Sequence, residues 1–225
     1  MNVTSRFPAL SDKELLDYTG KGFAVVKKVF SRREIAALEA EVERLLQPCN
    51  RALVQYRKFP WNESLPERID PVAAHSDLFE QINRDERITS RVKRFLGDQR
   101  ICHLKDKLIF KAPGQAGYGA HQDQSWWSKW GQSSITCLLA IDPADGANGG
   151  LQFLAGTHRS LLTDPQEPRY LQDADLQPYA HHDWCLPVLD AGDLVFFHGQ
   201  TVHRSDANKS GVWRRGYYVS YCLEP

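Results

Sequence analysis

The sequence predicts a mainly β domain of the β-sandwich or jelly-roll type, preceded by helices. Three observations carry that reading. From residue 101 onward, short apolar runs rich in β-branched and aromatic residues are separated by Gly, Pro, Asn and Asp clusters, with no helical period between them. Two Ser-x-x-Glu capping boxes open helices within the first hundred residues. No repeat, low-complexity tract or Gly/Ser-rich linker divides the 225 residues. A single domain over 1–225 is therefore expected, helical over about 1–100 and sheet-forming over about 101–225.

In chain order, the first box runs from Ser11 to Glu14 and the second from Ser31 to Glu34. The second is the stronger, because Ile35, Leu38, Val42, Leu45 and Leu46 then follow the three-and-four spacing of one buried helix face until Pro48 ends it. Between the boxes, Phe23, Ala24, Val25 and Val26 make a short strand-like run. Residues 51–71 read as an irregular, proline-interrupted loop carrying Tyr56, Arg57, Trp61 and Arg68, either a functional lid or a pinned surface loop. A further helix places Ile88, Val92, Phe95 and Leu96 on one stripe, with Gly97 suited to its C-terminus. Candidate strands follow at 102–111, 134–141, 151–154, 182–186, 194–197 and 216–222.

Composition narrows the partners. The 28 basic and 28 acidic residues balance, which removes the basic excess that nucleic acid or an anionic membrane surface would call for, and makes a small molecule the expected partner. The apolar runs fall far short of the roughly 20 residues of a membrane span, and the first 16 residues lack a signal-peptide core. A cytoplasmic location is expected, in keeping with Cys49, Cys102, Cys137, Cys185 and Cys222, which are odd in number and nowhere form a C-x-x-C pair. Oligomeric state is not legible.

The sharpest local feature is His121-Gln122-Asp123. In an extended segment His121 and Asp123 project to one side, supplying two of the three ligands of the facial triad that holds non-haem Fe(II) and leaves coordination positions open. Alone this is weak, since 8 histidines and 28 acidic residues in 225 positions give about one His-x-Asp/Glu pair by chance, and the chain has three: His75/Asp77, His121/Asp123 and His181/Asp183. A distal histidine and a following cation that clamps the far carboxylate of 2-oxoglutarate would complete an oxygenase site. His203 lies 80 residues beyond Asp123, and Arg214 11 beyond His203. A competing set has nearly the same spacing, with His158 81 residues beyond Asp77 and Arg169 11 beyond His158. Context separates them. Asp77 opens a helical stretch in which residues i and i+2 diverge, whereas His203 and Arg214 adjoin the candidate strands 194–197 and 216–222.

Read together, these ordered motifs resemble the phytanoyl-CoA dioxygenase family of Fe(II)/2-oxoglutarate oxygenases. The similarity runs through Gly20-Lys21-Gly22-Phe23, Leu96-Gly97, Phe110-Lys111-Ala112-Pro113-Gly114, His121-Gln122-Asp123 and Asn148-Gly149-Gly150-Leu151. It continues in Gly156-Thr157-His158 and in the run from Ala191 to His198, and closes with His203, Ser205, Asn208, Ser210 and Arg214. The resemblance implies a double-stranded β-helix, a cupin-like jelly roll, with His121, Asp123 and His203 on iron and acting in catalysis. It further implies Arg214 on the 2-oxoglutarate carboxylate, assisted by Ser205 and Gln122, with Lys107 a weaker match, and O2 as oxidant. Two departures are Ala155, where members usually have Pro, and Leu138, which replaces an aromatic present in some relatives. Asp123 also argues against halogenation, for which the family's iron halogenases carry a small residue there, and in favour of hydroxylation, desaturation or another oxidation.

Other residues are weighed beside this set. Trp126, Trp127 and Trp130 follow the metal motif and wall a substrate pocket or simply pack. Tyr56 and Arg57 of the 51–71 segment are further substrate candidates. Lys105, Lys107 and Lys111 share a strand face that meets either an anion or solvent. Alternation sends His181 and His182 to opposite faces, so neither is expected as a ligand; His158 is expected to hold a turn, and His103 and His198 to be satisfied polar groups. The expected function is oxidation, as hydroxylation, of a small molecule with release of succinate and CO2. The alternatives are a metal-binding jelly roll without oxygenase activity, acting as a binding protein or a zinc hydrolase, and a silent interaction module.

Overall fold

The structure, a computed structural model, describes residues 10–58, 64–127 and 133–224. Its elements in order are α1 (Asp12–Lys21), β1 (Phe23–Val26), α2 (Arg32–Leu45), β2 (Val54–Lys58), β3 (Ser64–Ile69), α3 (Asp77–Asn83), α4 (Glu86–Phe95) and β4 (Ile101–Lys111). There follow β5 (Tyr118–His121), α5 (Gln124–Trp127), β6 (Ser134–Ala140), β7 (Leu151–Leu154), α6 (Asp173–Leu176), β8 (Trp184–Cys185), β9 (Leu194–His198), β10 (His203–Ser205) and β11 (Arg214–Leu223).

Both capping boxes form. In each, the serine accepts from the N3 amide and the N3 glutamate accepts in return from the serine amide. The stripe on α2 buries Ile35, Leu38, Val42 and Leu45. Seven antiparallel strands in the order β1-β9-β6-β11-β4-β3-β2 make the larger sheet, and β5-β10-β7-β8 make the smaller one. Strand alternation divides the large sheet into two faces. Ile135, Cys137, Leu139, Phe196, Tyr217, Val219 and Tyr221 pack against the helices, while Leu138, Ala140, Val195, Phe197 and Tyr218 turn inward to meet Phe153 of the small sheet. The site occupies this inner face, so the helices serve to cover the outer one. Leu38→Ala, which empties a fully buried position under that cover, is expected to cost about 2–5 kcal/mol of stability in urea titration.

The N-terminal segment is less helical than its sequence suggests. Gly22 caps α1 at φ 86° and lets β1 enter the large sheet beside β9, Phe23 opposite Phe197. A Cβ at Gly22 would lie 2.5 Å from Thr201 Oγ1 and 2.6 Å from His158 Nδ1, so glycine is required by both backbone and space. The 51–71 segment is no irregular loop. After a 3-10 turn, β2 and β3 form a hairpin, and β3 joins β4 through Arg68 and Ile69. Proline masked this from sequence reading. Pro66 pairs only toward the edge strand β2, beside a register shift and outside the contact with β4, where a missing N–H is tolerated. Residues 59–63, with Trp61, lie outside the described residues.

The strand expected at 182–186 shortens to β8, and those at 194–197 and 216–222 extend to β9 and β11. β5 and β10, of four and three residues, were not legible as strands. No helix among the described residues is long and apolar enough to cross a membrane.

Candidate metal centre

His121 ends β5, Asp123 lies in the turn after it, and His203 begins β10, directly opposite His121 in the strand register. The convergence of His121 and Asp123 therefore comes from a strand end and its turn rather than from a continuous strand. The ligand atoms of all three lie within 4.8 Å of one another, and they form the one such cluster of metal-ligating side chains among the described residues. Asp123 Oδ1 is 3.8 Å from His121 Nε2 and 4.0 Å from His203 Nε2.

Each imidazole is oriented from behind. His121 Nδ1 is 2.8 Å from the Gly119 carbonyl and His203 Nδ1 is 3.0 Å from the Thr201 carbonyl, which places the proton on Nδ1 and leaves the Nε2 lone pair facing the cluster. Burial, reinforced by His121, pushes the His203 pKa down to about 3, and burial lowers that of His121, so both rings are neutral at pH 7. Burial acts to raise the Asp123 pKa, but Lys107, His203 and His121 together hold it below the ordinary value. Two neutral imidazoles and a carboxylate on one side of a point suit Fe(II) and leave the remaining coordination positions to exogenous ligands. Thr136 Oγ1 donates to Asp123 Oδ2 at 3.4 Å, leaving Oδ1 toward the histidines.

A cavity opens beside this cluster, lined by His121, Arg214, Ser205, Lys107, Arg68 and Tyr218 among others. Arg214 is 3% exposed; its Nη1 donates to Tyr218 Oη at 3.4 Å, and its Nε is buried with no partner. An orphaned guanidinium donor costs free energy unless an acceptor arrives. It therefore fits the far carboxylate of 2-oxoglutarate. Ser205 Oγ accepts from Lys111 Nζ at 2.7 Å, and Lys111 is itself fully buried. Arg215 turns to the opposite face, where Asp142 Oδ2 and Oδ1 accept from it at 2.8 and 2.7 Å.

Several expectations are corrected. Gln122 does not face the cavity; flanked by two residues turned toward the cluster, it points away. Its Nε2 donates to the Ser160 and Gln200 carbonyls at 2.8 and 2.6 Å, and its Oε1 accepts from Leu162 N at 2.7 Å. Gln122→Ala should therefore lower the melting temperature yet leave 2-oxoglutarate affinity within about threefold, a difference that scanning calorimetry and titration separate. Tyr56 packs against the helix-side core, with Arg51 over its ring at 5.5 Å, and does not line the cavity. Arg57 pairs with Leu65 in the β2–β3 hairpin, and its side chain lies outside the description, as does Trp130.

Trp126 stands edge-on to His121 at 5.7 Å, whereas Trp127 is half-buried on the short α5. Of the three lysines on β4, Lys105 pairs with Asp70 at 2.9 Å, Lys107 lines the cavity, and Lys111 holds Ser205. Leu138 faces inward beside Gly216, where a Cβ would sit 2.8 Å from Leu138 Cδ1. Tyr170, edge-on to His121 at 5.5 Å, and Tyr118 also line the cavity and were missed in sequence, since neither belongs to a motif. His182 Nδ1 is spent on the Ala155 carbonyl at 2.9 Å. The competing set is dispersed: His75 ends a 3-10 turn, His158 sits behind Gly22, and Arg169 pairs with Asp175 at 2.6 Å.

Comparison with known proteins agrees with this geometry. The chain is 33% identical over 137 residues to a 2-aminoethylphosphonate dioxygenase of uncultured bacterium HF130_AEPn_1, a match covering 60% of this chain and 51% of that protein. It is 26% identical over 225 residues to a methylphosphonate hydroxylase of Gimesia maris, covering 98% and 82%. Its fold matches EctD from S. alaskensis, solved with 2-oxoglutarate and 5-hydroxyectoine, with a TM-score of 0.80 at 20% identity, covering 98% of this chain and 80% of that one. The phytanoyl-CoA dioxygenase family model aligns with residues 18–216, which takes in every strand from β1 to β10, all three clustered ligands and Arg214. With nearly the whole double-stranded β-helix inside that match, the chain belongs to the phytanoyl-CoA dioxygenase family.

Proposed function

We propose that His121, Asp123 and His203 hold the iron, that Arg214 with Ser205 receives the far carboxylate of 2-oxoglutarate, and that a small molecule is hydroxylated beside them. The chain is an Fe(II)/2-oxoglutarate-dependent oxygenase that uses O2. The bound metal supplies the redox chemistry by which 2-oxoglutarate is converted to succinate and CO2 while the substrate is oxidised; the protein supplies orientation and exclusion of side reactions. Gly119 and Thr201 fix the two imidazoles through their carbonyls, Thr136 fixes the carboxylate, and Trp126 and Tyr170 flank His121 with aromatic surface.

The observation that carries the reading is the buried, unpaired Nε of Arg214, a residue that lines the same cavity as His121 of the ligand cluster. A hydrolase working through zinc-bound water has no use for such a cation, which sets that alternative aside. Anaerobic addition of 2-oxoglutarate to the Fe(II)-loaded protein should produce a metal-to-ligand charge-transfer absorption, and admitting air with substrate should release succinate. Metal binding without that absorption, together with release of product from an ester in the presence of zinc, would favour the hydrolase.

A further inference from the structure

The cavity carries more positive charge than iron and 2-oxoglutarate can use. Arg68 on β3, Lys107 on β4, Arg204 on β10 and Arg214 on β11 all border it, and of these Arg204 is already engaged, its Nε donating to Gln152 Oε1 at 3.0 Å and its guanidinium lying 3.9 Å over the Trp184 ring. The strand register puts Arg68, Lys107 and Arg214 on one face, because Arg68 is opposite the inward Ile109 and Lys107 is opposite the inward Tyr218. None of the three has a carboxylate within 4.0 Å among the described residues, although most arginines and lysines of α1, α4 and the sheet's outer face are ion-paired. Arg68 Nε donates only to the neutral Gln55 Oε1 at 2.7 Å. Lys107 Nζ has no hydrogen-bond partner among the described residues and stands 5.6 Å from the Tyr218 ring centre. Glu67, next to Arg68 in the chain, is bonded to the Tyr118 hydroxyl at 2.7 Å.

Charge balance then assigns the surplus. An imidazole that ligates a metal through its lone pair adds no charge, so Fe(II) and Arg214 bring three positive charges, which Asp123 and the two carboxylates of 2-oxoglutarate cancel. Arg204 being held by Gln152 and Trp184, Lys107 and Arg68 remain, two cations bordering the cavity with no carboxylate within 4.0 Å among the described residues, in a protein that is neutral overall. A concave site walled by one sign of charge concentrates ligands of the other.

We infer that Lys107 and Arg68 form a substrate subsite for a doubly charged oxyanion, so that the molecule oxidised carries a phosphonate or phosphate-monoester headgroup. Lys107 is thereby assigned to the substrate rather than to the cosubstrate. The inference rests on the oxygenase reading above, and its test is arranged to fail separately. Protein saturated with Fe(II) and 2-oxoglutarate under anaerobic conditions is titrated calorimetrically with propylphosphonate, propyl phosphate and uncharged 1-butanol, and the charge-transfer band is recorded in parallel.

At least one of the two oxyanions should bind tenfold or more tightly than butanol, and the tighter one names the headgroup. Lys107→Met and Arg68→Gln should each weaken it by about 10- to 100-fold, with partial recovery in Lys107→Arg, and leave 2-oxoglutarate affinity within about threefold. Butanol binding as tightly as the oxyanions would overturn the proposal. So would a loss of 2-oxoglutarate binding in Lys107→Met with oxyanion binding intact. Failure of the band itself in the unmodified protein would instead indict the oxygenase reading.

Discussion

Replacing His121 or His203 by alanine is expected to abolish the iron–2-oxoglutarate absorption and substrate-dependent succinate release, while His75→Ala and His158→Ala retain both. Loss of an outer hydrogen-bond partner to a metal ligand already costs about 10- to 100-fold in affinity, so loss of the ligand itself should exceed about 100-fold. The contrast with the competing histidines is what gives the result its force. His75 contributes its backbone carbonyl to Arg44, a contact that survives removal of the imidazole. His158 fills space against Gly22 and sits 6.0 Å from the His198 ring, so its alanine variant should lose stability rather than metal. Titration of Fe(II) and 2-oxoglutarate into folded protein separates the two effects. A His75 variant that folds but has lost the absorption would overturn the ligand assignment.

Arg214→Ala should raise the dissociation constant for 2-oxoglutarate by about 10- to 100-fold, the equivalent of about 1.5–3 kcal/mol for a hydrogen-bonded charged partner. Its neighbour makes the control. Arg215 donates to Asp142 through two nitrogens and lies 3.2 Å from Glu39 and 3.5 Å from Glu43, on the helix side of the sheet. Arg215→Ala should change 2-oxoglutarate affinity by less than about threefold and cost about 1.5–3 kcal/mol of stability instead, since Asp142 would lose both guanidinium bonds and keep only the residue-215 backbone amide. Lysine at 214 should rescue only in part, because an ammonium cannot form the two parallel bonds of a guanidinium. Anaerobic titration of the charge-transfer band measures binding apart from turnover. An affinity loss in the 215 variant alone would mean that the inward register of β11 is the odd-numbered one.

The strands that carry the site were legible where the chain is both apolar and regularly alternating. Leu151–Leu154 was read at its full length, and the alternation in Ser134–Ala140 and Arg214–Leu223 already separates helix-facing from site-facing residues. The short strands beside the metal ligands were not legible. Gly119, His121, His203 and Ser205 are chosen for what they contact, and three or four such residues hold no hydrophobic period. The β2–β3 hairpin was hidden in the same way by Pro66, and with it the position of Arg68 on the wall of the cavity.

By itself the sequence determined the capped helices, the jelly-roll strands, and two constellations of His, Asp, His and Arg that spacing could barely tell apart. Those follow from local rules, since capping geometry and side-chain alternation act within a few residues. Strand context and the family resemblance already favoured His203 over His158; only the tertiary structure decided that it stands directly opposite His121, that Gln122 is consumed by three loop contacts, that Tyr56 belongs to the helix-side core, and that Lys107 and Arg68 share a wall with Arg214. Each of these is a relation between segments distant in the chain. Such relations are fixed by which sheet edges pair and in what register, and a one-residue change of register would have turned the strand-borne side chains among them to the other face.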